Sequence, residues 1–294
     1  MSDVLIVALA GFAAAFVDGA LGMGFGPTSS SILLSSGLSP AGVSATVNLA
    51  KVATGIVSGA AHWRFGNIDR RVVIRLAVPG VVGALVGTLI LTNVDGDQLR
   101  PVLAALLFVI GLRILVRFAR TPRRSRDSGT GDDDARVTDA QLRGTALAGA
   151  AGGVTNGMIG AWGPIVTPFL LHRGVVPRLV VGSVNTAEVA VAMVAAGSLL
   201  TSQQHGLDAT TVIAMLAGGV LAAPVAALTV RHVPARLLGV LVAGLLLLTN
   251  VRELALWADL GALRWAIYAA IVVVIVVCVR RAQPVTRSIP PATV

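Results

Sequence analysis

The sequence predicts an all-α polytopic membrane protein built as two inverted-topology repeats with broken helices, about 8–10 membrane segments in all. Three observations carry that expectation. Hydrophobic residues fill 55% of 294 positions and charged ones only 13%, at a mean hydropathy of +0.84. A soluble domain carries roughly 25% charged residues, and a soluble chain this apolar could not cover its own surface. Runs of about 18 or more nearly uncharged residues recur throughout, enough at about 1.5 Å per residue to cross about 30 Å of hydrocarbon. Finally, the second half repeats residues of the first in a fixed register.

The segments fall at residues 4–21, 28–36, 41–63, 72–92 and 99–118, then at 144–160, 165–171, 178–200, 209–230, 235–249 and 263–279. The first ends in the cluster Gly22-Met23-Gly24-Phe25-Gly26-Pro27. It lacks a basic leader and further membrane segments follow, so it is read as retained, not as a signal peptide. A polar stretch at 121–139 with Arg123, Arg124, Arg126 and Asp132 to Asp134 reads as a flexible loop. The chain thus divides into a first membrane repeat (1–120), a cytoplasmic loop (121–142), a second membrane repeat (143–251), and an extra C-terminal transmembrane helix with a disordered tail (252–294).

An offset of 137 pairs Gly26-Pro27 with Gly163-Pro164, Gly37 with Gly174, Pro40 with Pro177, Thr46 with Ser183, Asn48 with Asn185, and Lys51 with Glu188. Before the glycine cluster the offset becomes 138, pairing Asp18 with Asn156 and Gly19 with Gly157. Loop charges then orient the repeats. Arg64, Arg70, Arg71 and Arg75 mark a cytoplasmic loop, and Asp95 and Asp97 an outer one. The loop at 201–208 has no Lys or Arg and reads as outer, whereas Arg231, Arg236, Arg280 and Arg281 are inside, with the C-terminus. Equivalent loops therefore face opposite sides, an arrangement found in many secondary transporters. Arg173 and Arg178 put the end of segment 165–171 back on the cytoplasmic side, so segments 144–160 and 165–171 should form a hairpin that returns to its own side. The net charge of +9 lies in short loops between apolar runs, which fits membrane topology and not nucleic-acid binding. The single cysteine, Cys278, excludes disulfides and cysteine-based metal sites.

The glycine-rich break from Gly22 to Pro27, the small-residue helix with Thr46, and its ending from Ser58 through His62, Gly66 and Asn67 to Asp69 resemble the TauE/SafE family of sulfite and organosulfonate exporters. The resemblance covers residues 4–249; the second repeat has Gln203-Gln204-His205-Gly206 in place of that ending. It implies anion export across the bacterial inner (plasma) membrane and does not fix which anion.

Lys51 is the one lysine among 23 basic residues and lies about eleven residues into a helix, near the bilayer midplane. A charge there costs several kcal/mol unless paired or hydrated. Glu188 holds the symmetry-equivalent place, so the pair should meet between the repeats, either as an anion site with a proton-exchanging carboxylate or as a structural ion pair. Asn48 and Asn185 precede them by three residues on the same helix faces, as cavity lining or as interhelical hydrogen-bonding groups. The two glycine–proline breaks should start short helices inside the membrane, whose N-termini suit an oxyanion. Gly24, Gly26, Thr28 and Ser29 would contribute at the first break, Gly163 and Thr167 at the second; close packing and self-bonded hydroxyls are the alternative. Asp18 is a proton-coupling candidate, or else caps the break or pairs with Lys51.

The expected partners are a small anion, the lipid bilayer and a coupling proton or ion, with no cofactor, metal or nucleic acid; the sequence specifies no oligomeric state. His62 and Trp63 read as an interfacial anchor, and His172, His205 and His232 share no metal spacing. An intramembrane enzyme would need a nucleophile with its base or a motif such as H-E-x-x-H, and none occurs. An anion channel, or a transporter of another small carboxylate or oxyanion, would share these features.

Overall fold

The computed structural model describes residues 2–21, 24–119, 137–202, 209–229 and 235–282. Gly22 and Met23, most of the central loop, the loop with Gln203, Gln204, His205 and Gly206, the turn with Arg231 and His232, and the tail lie outside the described residues. The helices are α1 (Ser2–Leu21), α2 (Phe25–Ser35), α3 (Pro40–Arg64), α4 (Arg70–Asn93), α5 (Gly96–Ala119), α6 (Thr145–Ile159), α7 (Gly163–His172), α8 (Pro177–Thr201), α9 (Ala209–Thr229), α10 (Ala235–Trp257) and α11 (Leu263–Ala282).

Residues that stop or start helices sit where the chain must turn. Ser39 accepts a hydrogen bond from the Gly42 N–H (3.2 Å), with Pro40 opening α3. Asp69 accepts from the Arg71 and Val72 N–H groups at 2.8 and 3.2 Å and opens α4. Gly66 at φ +67° supplies the left-handed turn between them. The ending from His62 to Asp69 is thereby a helix hairpin, and it is docked. The Asp69 N–H donates to Ser183 Oγ at 2.9 Å, and the Asn67 carbonyl fills the space a side chain would need at Gly182 on α8. Asp69→Ala should therefore lower thermal stability in detergent by about 1 kcal/mol, the cost of a lost N-cap.

Among the described residues, five helical spans, on α4, α5, α8, α10 and α11, are long and apolar enough to cross a membrane. On α4, Val78, Val82, Leu85 and Leu89 form an exposed apolar stripe, and α11 exposes Val273 and Val274. The architecture is that of a polytopic α-helical membrane protein. α10 runs to Trp257, so the last helix of the second half continues past residue 251, through Arg252 and Glu253. α2 and α7 have 11 and 10 residues, about 16 Å of helix, which is half of a bilayer core.

Corresponding helices follow in the same order. α3 and α8 have 25 residues each and begin and end 137 positions apart. The packing matches too: α1 pairs with α9 as α6 pairs with α4, while α3 meets α8 and α5 meets α10. The halves are interlocked. Glycines allow backbones to touch at these seams: Gly83 and Gly87 of α4 lie against carbonyls of α6, and Gly149, Gly153 and Gly157 of α6 against carbonyls of α4. The two ends of the α6–α7 hairpin meet, since Gln141 Nε2, before α6, donates to the Gly174 carbonyl, after α7, at 2.8 Å.

Candidate functional site: a charged cavity between two helix breaks

α6 ends at Ile159 because Gly160 turns left-handed, at φ +65°. A helix end leaves its last carbonyls without partners, and inside a membrane that costs several kcal/mol per group. Side chains of the first half supply the missing donors. Ser44 Oγ donates to the Gly157 carbonyl (2.6 Å), Ser30 Oγ to Ile159 (2.7 Å) and Lys51 Nζ to Gly160, while Asn48 Nδ2 adds a bond (3.1 Å) to the Asn156 carbonyl, which already accepts from the Gly160 N–H. Gly26, at the first break, lies so close to the Gly160 carbonyl that a Cβ there would overlap it. The two breaks therefore touch.

Lys51 has three N–H bonds to place, and three acceptors surround it. These are the Gly160 carbonyl, Asn156 Oδ1 at 3.1 Å, and Glu188 Oε1 in an ion pair. Its side chain is only 7% exposed and that of Glu188 19%. The carbonyl end of a helix favours a cation, so Lys51 is held by dipole and counter-charge together. Asn156 Nδ2 in turn donates to Asn48 Oδ1 at 2.7 Å, which fixes the amide that faces the lysine.

Above this pair is a cavity of about 90 Å³, lined by Asp18 and the α2 start (Gly24 to Pro27), by Lys51, Thr54 and Ser58 of α3, by Gly160, Gly163 and Pro164, and by Asn185 and Glu188 of α8. It has room for a few waters or one small oxyanion. Both short helices present their N-terminal turns to it, and Pro27 and Pro164 have no N–H to leave unpaired. Asp18 takes the capping place: the Phe25 N–H points at its Oδ1 (3.4 Å).

Of the residues expected at the site, Lys51, Glu188, Asn185, Asp18, Gly24, Gly26 and Gly163 converge on the cavity. Asn48, Thr28, Ser29 and Thr167 do not line it. Asn48 is turned into the α3–α6 seam by its bonds to α6. Ser29 Oγ donates to carbonyls of its own helix, at Phe25 and Gly26, as serines in helices commonly do. Thr28 is fully buried, and its Oγ1 has no hydrogen-bond partner. Thr167 is buried within α7. Sequence reasoning missed Thr54 and Ser58, although both follow Lys51 at spacings of one and two helical turns. It also missed the contact of Asn156 with the lysine, which only the break at Gly160 creates. Trp162 was missed as well; it is fully buried and donates from Nε1 to the Val184 carbonyl (3.2 Å), anchoring the second break on α8.

Residues 7–253 match the family described as sulfite exporter TauE/SafE. The chain belongs to that family. It is also 37% identical over 276 residues, 92% of this chain and 89% of the relative, to a protein of Bacillus subtilis (strain 168) named "Probable membrane transporter protein YtnM". No solved structure matches the chain. Family and relative together make this a multi-pass membrane transporter. In the family's terms, the ending from His62 to Asp69 is the docked α3–α4 hairpin, and the glycine-rich breaks frame the charged cavity.

Proposed function

We propose that the protein is a secondary transporter exporting a small anion, sulfite or an organosulfonate first, across the bacterial inner membrane, with the arginine-rich loops and the C-terminus in the cytoplasm and the two repeats inverted. The observation that carries this reading is the placement of Lys51. The one lysine of the chain lines a small cavity on which the N-termini of two half-membrane helices converge. The name of the family supports the choice of anion.

Charge balance adds a coupling step. Two carboxylates, Asp18 and Glu188, share the cavity with one ammonium, so an anion entering with both ionised would meet net negative charge. All three lysine donors are also engaged by the protein itself. A proton delivered to either acid lowers the negative charge, and one delivered to Glu188 also frees a lysine donor for the substrate. Anion binding and protonation are then linked, which favours a carrier over a channel.

Purified protein in proteoliposomes should carry sulfite or an organosulfonate in preference to small carboxylates, and an imposed pH gradient should accelerate the flux. Asp18→Asn or Glu188→Gln should remove most of that acceleration. Flux of none of these anions would reject the substrate class, and flux indifferent to pH in the native protein would reject the coupling.

A further inference from the structure

The cavity is bounded asymmetrically. On one side α2 is tied down: it packs on α10, and Asn250 Nδ2 donates to Ser31 Oγ at 2.8 Å, with both residues buried. Arg100 of α5 adds bonds to the carbonyls at the end of α2, Gly37 and Leu38, each at 3.1 Å. The repeat offset carries Ser31 to Pro168 on α7 and Asn250 back to Arg113 on α5. At that equivalent place the helices stand apart. A groove of about 650 Å³ separates α5 from α7, lined by Ile110, Arg113, Arg117, Ile165, Pro168 and His172 among others. Pro164 lines both this groove and the cavity, so only the first turn of α7 lies between them.

Arg113 is exposed six residues before the end of α5, about 9 Å from it along the axis. A guanidinium facing hydrocarbon at that depth is costly unless water reaches it. Among the described residues no carboxylate lines the groove, and Arg113 makes its wall positive and complementary to an anion.

We propose that the α5–α7 groove is a water-filled, positively charged vestibule through which the small anion reaches the cavity, with Arg113 as its first binding residue, while the equivalent α2–α10 route is shut. The inference rests on the transporter reading above. Arg113 acts before Lys51: it gathers anions at the mouth, and the first turn of α7 is the barrier they pass.

The test uses the full chain in liposomes, with Cys278→Ala as background and a single cysteine at Ile165, or at Leu112 on the facing wall. Reaction rates are measured with an anionic (sulfonatoethyl) and a cationic (trimethylammonioethyl) methanethiosulfonate, each divided by its rate with free cysteine. The anionic reagent should be favoured roughly threefold or more, as expected near one guanidinium that is partly screened. Arg113→Gln should bring the ratio close to one, Arg113→Lys should keep it, and a cysteine at Thr28, the shut counterpart of Ile165, should resist both reagents. In flux assays Arg113→Gln should raise KM without abolishing transport. A cysteine at Ile165 that reacts only with a lipid-soluble maleimide means lipid fills the groove and overturns the proposal, as does a ratio unmoved by Arg113→Gln. The labelling needs no transported substrate, so it can succeed where anion flux fails, and the reverse.

Discussion

Replacing Lys51 by glutamine is expected to reduce anion flux to that of protein-free liposomes. The amide reaches about as far as the lysine stem but carries no charge, and nothing else in the cavity lining is cationic. The single substitution also strands Glu188, which loses its ion-pair partner. Removing one partner of a buried pair costs about 3–5 kcal/mol, so the variant can lose flux merely by failing to assemble. The double variant Lys51→Gln/Glu188→Gln separates the two effects. It leaves neither member of the ion pair stranded, and its amides can still bond the Gly160 carbonyl and Asn156. Size-exclusion profile and melting temperature should return to near those of the native protein, with flux still at background. Restored flux in the double variant would assign Lys51 to structure alone.

Gly26→Ala should be the most damaging glycine-to-alanine change among the described residues. The added carbon would meet the Gly160 carbonyl, and Lys51 Nζ lies within 3.2 Å of the same point. Overpacking costs about 1–3 kcal/mol where side chains can yield, but here the neighbour is backbone, held at φ +65° by the turn that ends α6. Pushing it away also moves an acceptor of the lysine. Melting temperature in detergent should fall by an amount at or above the upper end of that range, and flux should fail with it. Gly197→Ala, where an added carbon meets nothing within 4 Å, is the control and should be neutral. Equal behaviour of the two variants would show that the breaks do not press on each other.

Much of this was legible because charge and backbone geometry leave marks in sequence. Lys51 and Glu188 could be paired from register, since two residues at one offset on matching helices must meet if those helices cross at a symmetry axis. Pro40 and Pro177 fixed the starts of α3 and α8, and the glycine–proline pairs fixed those of α2 and α7 to within a few residues. The direction of small polar side chains was not legible. Ser29 and Ser30 are neighbours of one type, yet one bonds its own helix and the other a carbonyl of α6. That difference follows from which helix happens to end nearby. The gap between α5 and α7 left no trace either, because apolar residues look alike whether they face lipid, a groove or another helix.

The donors that complete the end of α6 have a consequence for how the chain is made. Ser30, Ser44, Asn48 and Lys51 all precede α6 in the chain. α6 therefore follows, in the order of synthesis, the hydroxyls and the ammonium that its exposed carbonyls require. A fragment beginning at α6 would insert with those carbonyls facing hydrocarbon and no side chain to meet them. The reverse order of synthesis would expose the same end for as long as the first half took to arrive. Biosynthesis therefore runs in the one direction that keeps this helix end from waiting.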